Sequence, residues 1–474
     1  MRVLLINQFF RPDLAATAQL LADLAEDLAA DGWQVTALAG RGRYAGAGDE
    51  RLARREIWGD VRIRRVWCSD LGRGSALRRV TDYATFLLTA GWFVVFGRWW
   101  WKDRRSRRDG IASAPAGPRN DRGFGVSSRG VLPQAGRRGD LDAEAGSSSE
   151  RDGIASAPSG PRNDSRVVKP KRVVVCLSTP PLVAVLGLLA RLRGARFVCK
   201  VEDLYPDVAV ALGTFGRHSP AARFFGRLSR AVLARADAVV ALDEAMGRAL
   251  QARGARRVAV IPNWADGEAL RPDPETGAGL RAVYGLGDRF VVLYSGNLGL
   301  AHRFDAVIAA ARAIAAVRPD VLFLFVGGGP RLPEVKRLAA GLANVRFLPY
   351  QPREALGALY NAADVHLVTL RDEVAGLLVP SKYAAALAAA RPVLLVGGTE
   401  TAIAREIEDQ GLGWVCPHDG EAVVAALKEA LQMRGLVEEQ GARARAVFEG
   451  RYERGGATAR WSRLLTDVAA GTAG

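Results

Sequence analysis

The feature that most restricts the fold of this chain is a repeated alternation. Short, continuous apolar runs end in Gly, Pro or polar turns and are followed by stretches with apolar residues at helical spacing. Val3–Asn7 is a β-prone run, and Ala16–Ala30 sets Leu20, Leu21, Leu24 and Leu28 on one helical face. Asp31 and Gly32 end that helix, and Val35–Leu38 supplies the next run. Parallel strands require such crossovers, because a tight hairpin cannot join them. Further strands are predicted at Arg172–Leu177, Phe197–Val201, Asp237–Leu242 and Val258–Ile261. A second series is predicted at Phe290–Tyr294, Val321–Val326, Val345–Phe347, Val365–Val368 and Val393–Val396, again interleaved with helical patterns. The expectation is an α/β chain with two doubly wound, Rossmann-like domains facing a central cleft. The expected boundaries are 1–263, a Gly-, Pro- and Asp-rich linker over 264–288, a second domain over 289–445, and a C-terminal helix over 446–474 crossing back to the first domain.

One stretch breaks the alternation. RDGIASAPAGPRND at Arg108–Asp121 recurs at Arg151–Asp164 with a single difference, Ala116 against Ser159. Residues 103–169 are rich in Gly, Ser, Pro and Arg and nearly free of aromatics, a composition that cannot bury enough apolar area to offset chain entropy. They read as a disordered insertion carrying a duplicated element, too short an array for a solenoid.

The net charge of +16 raises nucleic acid and membranes as partners. Between Lys102 and Arg172 there are 16 Lys and Arg against 9 Asp and Glu, so nearly half of the excess lies in one segment and the rest is spread thinly. That distribution suits a basic surface near anionic headgroups better than a nucleic-acid groove, and no zinc-finger spacing or RNA-binding signature occurs. No nucleic-acid partner is expected. The four cysteines, Cys68, Cys176, Cys199 and Cys416, have no paired spacing, which argues against a zinc site or a disulfide framework. The opening MRVLLINQFFRPD reads as a buried first strand and not as a signal peptide, so a cytoplasmic address is expected.

The run YATFLLTAGWFVVFGRWWW (83–101) is uncharged from Tyr83 to Gly97, shorter than the roughly 20 residues that span a bilayer. Arg78 and Arg79 flank it on one side and Arg98 and Lys102 on the other, while Trp99, Trp100 and Trp101 suit the headgroup boundary. It reads either as a buried helix of the first domain or as one that also dips into a membrane interface.

Three motifs carry chemistry. YSGNLG (294–299) follows an apolar strand and precedes a helix, so Gly296 and Gly299 let the backbone approach a ligand and the helix start suits a diphosphate. GGGP (327–330) is a second glycine turn at a strand's carboxyl end, and neither is a GxGxxG nor a GxxxxGK[ST] fingerprint. In DEVAGLLVPSK (372–382), Lys382 sits at a helix start, where the dipole favours anions, unless a bound phosphate meets it.

Together these runs resemble glycosyltransferase family 4, the retaining GT-B enzymes. The similarity is strongest to the bacterial exopolysaccharide and O-antigen branch that includes colanic-acid and L-fucosamine-type transferases. The matching runs are ATAQLLADLAEDLAADGWQVTALAGR, STPPLVAVLGLLARLRGARFV, EDLYPDVAVALG, VIPNWAD, YSGNLGLAH, FVGGGP, NVRFLPYQP, VPSKYAAALAAARPVL and GLGWVCPHD, covering almost everything outside 103–169. The resemblance implies a sugar-nucleotide donor whose diphosphate lies over Gly296, Asn297 and Gly299, with Gly328 in the neighbouring turn. Arg303 and Lys382 would neutralise it, and Leu348 with Pro349 would border the nucleobase. Of the family's Glu-x7-Glu pair, Glu373 fits the first position, but Ser381 stands at the second. Where many members have a His before the strand-end Asp, this chain has Glu202 and Asp203, the acceptor-side candidates. His218, His302, His366 and His418 do not fill that place, and His302 reads as a helix-start residue. The resemblance further implies a lipid-linked saccharide acceptor at the inner-membrane surface. No cofactor is implied, since the nucleotide-sugar is a substrate, and because the fold of this family typically needs no metal, none is expected. Two alternatives use a similar cleft, a sugar-nucleotide epimerase and a non-enzymatic sugar-binding protein.

Overall fold

Fourteen strands form two separate, almost wholly parallel sheets in the computed structural model, which describes residues 1–42, 52–71, 76–97, 171–179 and 182–471. The duplicated insertion predicted over 103–169 lies outside the described residues.

The first sheet holds β1 (Arg2–Ile6), β2 (Gln34–Gly40), β3 (Arg55–Trp58), β4 (Val61–Val66), β5 (Arg172–Leu177), β6 (Arg196–Lys200), β7 (Ala238–Ala241) and β8 (Val258–Val260). Their order is β3-β4-β2-β1-β5-β6-β7-β8, and only the β3–β4 hairpin is antiparallel. Val3 pairs with Val35 on one side and Val173 on the other, so β1 is central and the chain reverses direction across the sheet between β1 and β5. In such sheets that reversal opens a crevice at the carboxyl ends of the strands. Alternate residues divide between two cores, as the two-residue repeat of a strand requires. Val3, Leu5, Val173 and Val175 pack on one face with Leu24 and Leu28 of α1 (Ala16–Ala30). Leu4, Ile6, Val174 and Cys176 pack on the other with Phe86, Ala90 and Val94 of α2 (Ala76–Phe96). All four cysteines are buried and unpaired.

The second sheet is wholly parallel and runs β11-β10-β9-β12-β13-β14, from β9 (Phe290–Ser295), β10 (Val321–Val326), β11 (Val345–Leu348), β12 (Val365–Thr369), β13 (Val393–Val396) and β14 (Gly413–Cys416). Its own reversal lies between β9 and β12, and both glycine motifs follow strands at that crevice. The fold is GT-B, two parallel-sheet α/β lobes.

The stretch 264–288 differs from a simple linker. Asp273 caps a helix over Pro274–Val283 by accepting from the Thr276 amide, and Leu280 and Leu286 are buried with Val291 and Leu293 of the second lobe. Its glycine content reflects packing as well as connection, because a Cβ on Gly277 would stand 2.7 Å from the Asn361 carbonyl oxygen. The crossing itself is narrow. Ala265 donates to the Tyr452 carbonyl (3.1 Å) and accepts from the Arg454 amide (3.0 Å), so outgoing and returning chains run side by side. The final helix, Arg454–Ala470, packs Trp461, Leu465 and Val468 into the first-lobe core with Val3 and Leu24. Arg454 ties this crossing to α1 through Asp27 (Nε to Oδ2, 2.9 Å) and Glu26 (2.8 Å).

Of the two readings of 83–101, the structure gives α2 an inner face packed on the sheet, and its outer face is exposed. Among the described residues no helix is long and apolar enough to cross a membrane.

Candidate active site

The two glycine turns are built against each other. The Gly296 amide donates to Val326 O (2.8 Å), Leu298 to Gly328 O (2.7 Å), Gly327 to Leu348 O (2.9 Å) and Arg331 to Leu298 O (3.1 Å). Gly327 has φ +130°, and a Cβ there would lie 2.1 Å from the Gly296 carbonyl oxygen, so only glycine lets the turns approach this closely. Tyr350 closes the arrangement, its ring against Gly327 and Gly328 and its hydroxyl donating to Gly328 O at 3.3 Å. The amides of Asn297, Gly299, Gly328 and Gly329 find no acceptor among the described residues. Backbone donors left over on neighbouring turns suit an anion.

Lys382 supplies the charge. It opens the helix Lys382–Ala388, whose next residue, Tyr383, is anchored by donating to Glu406 (2.8 Å). The Lys382 Nζ stands 4.7 Å from the centre of the Tyr294 ring and 3.4 Å from His302 Nε2, and a Cβ on Gly296 would meet Lys382 Cε at 3.6 Å. Tyr294 also holds the turn, its hydroxyl donating to Asn297 O at 2.8 Å. His302 Nδ1 lies 2.6 Å from the Thr369 carbonyl oxygen, which places the ring proton on Nδ1 and leaves Nε2 to accept from lysine. Burial and the Lys382 charge hold His302 well below the usual imidazole range, so it is neutral. Lys382 has no carboxylate partner among the described residues, and burial pushes its ammonium down to about 7. An anion bound here would reverse that penalty.

The other predicted donor-side residues divide. Gly296, Asn297, Gly299, Gly328 and Leu348 meet at the paired turns. Arg303 does not join Lys382. It is exposed and forks onto Asp305, with both N–O distances 2.7 Å. The helix that follows the turn, expected over Phe304–Val317, runs over Asp305–Ala315. Glu373 lies exposed on a short 3-10 turn, paired with Arg371 at 3.3 and 3.1 Å, which holds its carboxyl down at about 2. Ser381 is exposed and its hydroxyl caps nothing. It lines a separate seam cavity of about 120 Å³ with Asp243 and Asn263 of the first lobe and Glu406 and Tyr452 of the second.

On the acceptor side Glu202 is not a free acid. Its carboxylate is buried against Lys200 and accepts from Asn263 Nδ2 at 3.0 Å, while Lys200 donates to Asn263 Oδ1 at 2.6 Å. Both oxygens are therefore taken by a closed polar cluster beneath the lobe seam. Asp203 is half-buried at the seam. Thr179 donates to its Oδ2 at 3.3 Å, it bridges to Leu378 of the second lobe, and Leu204 donates to Leu377 O at 2.9 Å. Burial, reinforced by the Glu202 charge, raises Asp203 to about 7. Sequence reasoning read His302 only as a helix-start residue and passed over Tyr294 and Tyr350. The signal for the first was its place three residues after Gly299, and for the others the motifs that contain them. Among the described residues no group of three or more His, Cys, Asp or Glu could hold a metal ion.

Residues 16–264 match the sequence profile of the glycosyl transferase 4-like domain, and residues 289–433 that of glycosyl transferases group 1. WbjE, a probable glycosyltransferase of Pseudomonas aeruginosa, is 28% identical over 54% of this chain and 64% of its own length. WcaI of Escherichia coli K12, named for colanic acid biosynthesis, is 30% identical over 56% of this chain and 67% of its own. The chain thus spans about two thirds of these relatives. HepE of Anabaena in complex with UDP-glucose superposes with a TM-score of 0.61 at 15% identity, over 98% of this chain and all of that one. With one profile covering more than half of its length and a second covering the other lobe, the chain belongs to the glycosyl transferase 4-like, group 1 family.

Proposed function

We propose that this protein transfers a sugar, with retention, from a nucleotide-diphosphate sugar, UDP-linked, to a lipid-linked or polysaccharide acceptor in cell-envelope glycan synthesis. The carrying observation is Lys382, a half-buried cation without a carboxylate, next to turns whose amides lack acceptors. Breaking the anomeric C–O bond leaves new negative charge on the departing diphosphate. Fixed amides and a desolvated ammonium lower that barrier because they are already oriented and little water competes. In this reading the acceptor hydroxyl attacks from the leaving-group face and passes its proton to a donor phosphate oxygen, so neither a metal nor a cofactor is required. Asp203 orients the acceptor across the seam. UDP-glucose in the HepE complex supports the donor class, and the naming of WcaI supports the cell-envelope setting. The acceptor lipid sets the site of action at the inner face of the cytoplasmic membrane.

The test is consumption of UDP- and GDP-sugars with and without membrane lipid extract as acceptor source. Donor loss that requires the extract, with labelled sugar appearing in the lipid or polymer fraction, is expected. Equal donor turnover without an acceptor would support an epimerase instead, and binding without any turnover would support a sugar-binding protein.

A further inference from the structure

We propose that the outward face of α2 is a docking surface for an anionic lipid bilayer. This rests on the membrane-borne acceptor of the preceding reading for its purpose, but not for its evidence. The helix holds Phe86, Ala90 and Val94 against the sheet, yet the opposite side is apolar too. Leu77, Leu88 and Trp92 are 76, 74 and 69% exposed, and Val80 and Phe96 continue the same stripe. Scattered exposed apolar residues need no explanation, but a stripe at four-residue spacing along a helix of roughly 30 Å is a contiguous patch. The one acid near its middle, Asp82, faces inward and accepts from the Ser69 hydroxyl (2.7 Å) and the Leu71 amide (3.1 Å). Trp67 extends the patch sideways, and with Trp92, Phe96 and Arg54 it lines an open groove of about 430 Å³.

Charge selects the occupant. Arg54, Arg55, Arg62 and Arg78 are exposed on the β3–β4 hairpin and the first turn of α2, against Asp60 and Asp70. Basic residues rimming an apolar stripe with tryptophans match an acidic headgroup layer over acyl chains. A second copy would oppose like charges around the same stripe. The placement is also useful. Cys68 and Phe86 lie against Gly40 at the carboxyl end of β2, so the middle of α2 packs at the same end of the parallel sheet from which Asp203 emerges after β6. A bilayer on this face would lie beside the acceptor side of the cleft.

The experiment is co-flotation of the full chain with phosphatidylcholine vesicles, with and without phosphatidylglycerol, at low and high salt and without donor or acceptor. Wild type should float with the anionic vesicles, less so at high salt. The pair Leu88→Ser and Trp92→Ser should weaken that binding roughly ten-fold or more. Both side chains are solvent-exposed, so the pair should keep the wild-type melting temperature and UDP-glucose binding, which also separates this test from failure of the donor reading. Absent vesicle binding, or binding that the folded double variant retains in full, would overturn the proposal. So would a wild-type dimer that the double variant turns into a monomer, since the stripe would then be covered by a second copy.

Discussion

On the proposed reading, donor affinity should fall as pH rises through about 7, because the group that would meet the diphosphate, Lys382, is a lysine already close to losing its proton. The ordinary side chain titrates at 10.5, and burial brings Lys382 down to about 7. A bound diphosphate favours the ammonium, so binding takes up a proton wherever the free protein has lost one. The sign follows directly: affinity is full below about 7 and declines above it. Between about pH 6 and about pH 8 the loss is roughly ten-fold, or about 1.4 kcal/mol, and each further unit adds about the same until the bound-state value is reached. UDP-glucose is the right probe, since its diphosphate is a diester with no ionisation in this range, and isothermal titration reads both affinity and proton uptake across two buffers. His302 adds no competing step, being neutral throughout. Asp203, raised to about 7, titrates in the same window, so Asp203→Asn must be measured beside wild type and should keep the slope. Lys382→Arg, which stays charged, should bind with a flat profile, and Lys382→Met should bind weakly and flatly. A wild-type affinity unchanged from about pH 6 to about pH 9 would refute the reasoning, because a lysine with this environment could not then be the diphosphate contact.

Lys200→Met should cost about 3–5 kcal/mol in urea unfolding, because it leaves the Glu202 carboxylate buried without its cation. The double change Lys200→Met with Glu202→Leu should recover much of that loss, and a single variant as stable as wild type would show that the pair is not desolvated. Ala390 sits at φ +52° just after the helix Lys382–Ala388, a conformation that glycine adopts without penalty. Ala390→Gly should therefore raise the denaturation midpoint by an amount equivalent to about 0.5–1 kcal/mol, and a lower midpoint would contradict the strain.

The strands were legible because parallel strands are buried on both faces and read as unbroken apolar runs such as VVVCL and VLFLFV. The glycine turns were legible as places of close approach, but not what they approach. Gly327 is required first by the Gly296 carbonyl, a contact between strands distant in sequence. The Arg303–Asp305 pairing was not legible because the carboxylate lies only two residues on, outside the helical spacings at which pairs are usually sought. Glu202 carried a usable signal. Residues two apart along an extended segment point the same way, so Lys200 and Glu202 were placed to pair before any fold was known. The 264–288 segment misled because Gly, Pro and Asp were counted as loop formers. There Asp273 caps, Pro274 occupies the first helical turn, and Gly277 admits a neighbouring backbone.

These placements bear on how the two lobes work together. At the crossing they are tied by Ala265 to Tyr452 and Arg454, and by Arg353 to Asp23 at 2.7 Å. At the cleft the ties are of another kind: the Leu204–Leu377 hydrogen bond, the Asp203–Leu378 bridge and a small apolar cluster of Val208, Leu370 and Val374. The second set lies wholly between the segment carrying Asp203 and the segment leading to Lys382. Three fully buried side chains, half-buried neighbours such as Leu377 and Leu378, and a few backbone bonds are a small contact beside two full lobe cores, so this seam should open at far lower cost than either sheet. In the proposed transfer, closing it would bring Asp203 and the segment leading to Lys382 into place in one step, since the Leu204–Leu377 and Asp203–Leu378 contacts join the two segments. A transferase working in this way would gain protection of its donor from water, because Asp203 would be seated only together with the segment that leads to Lys382.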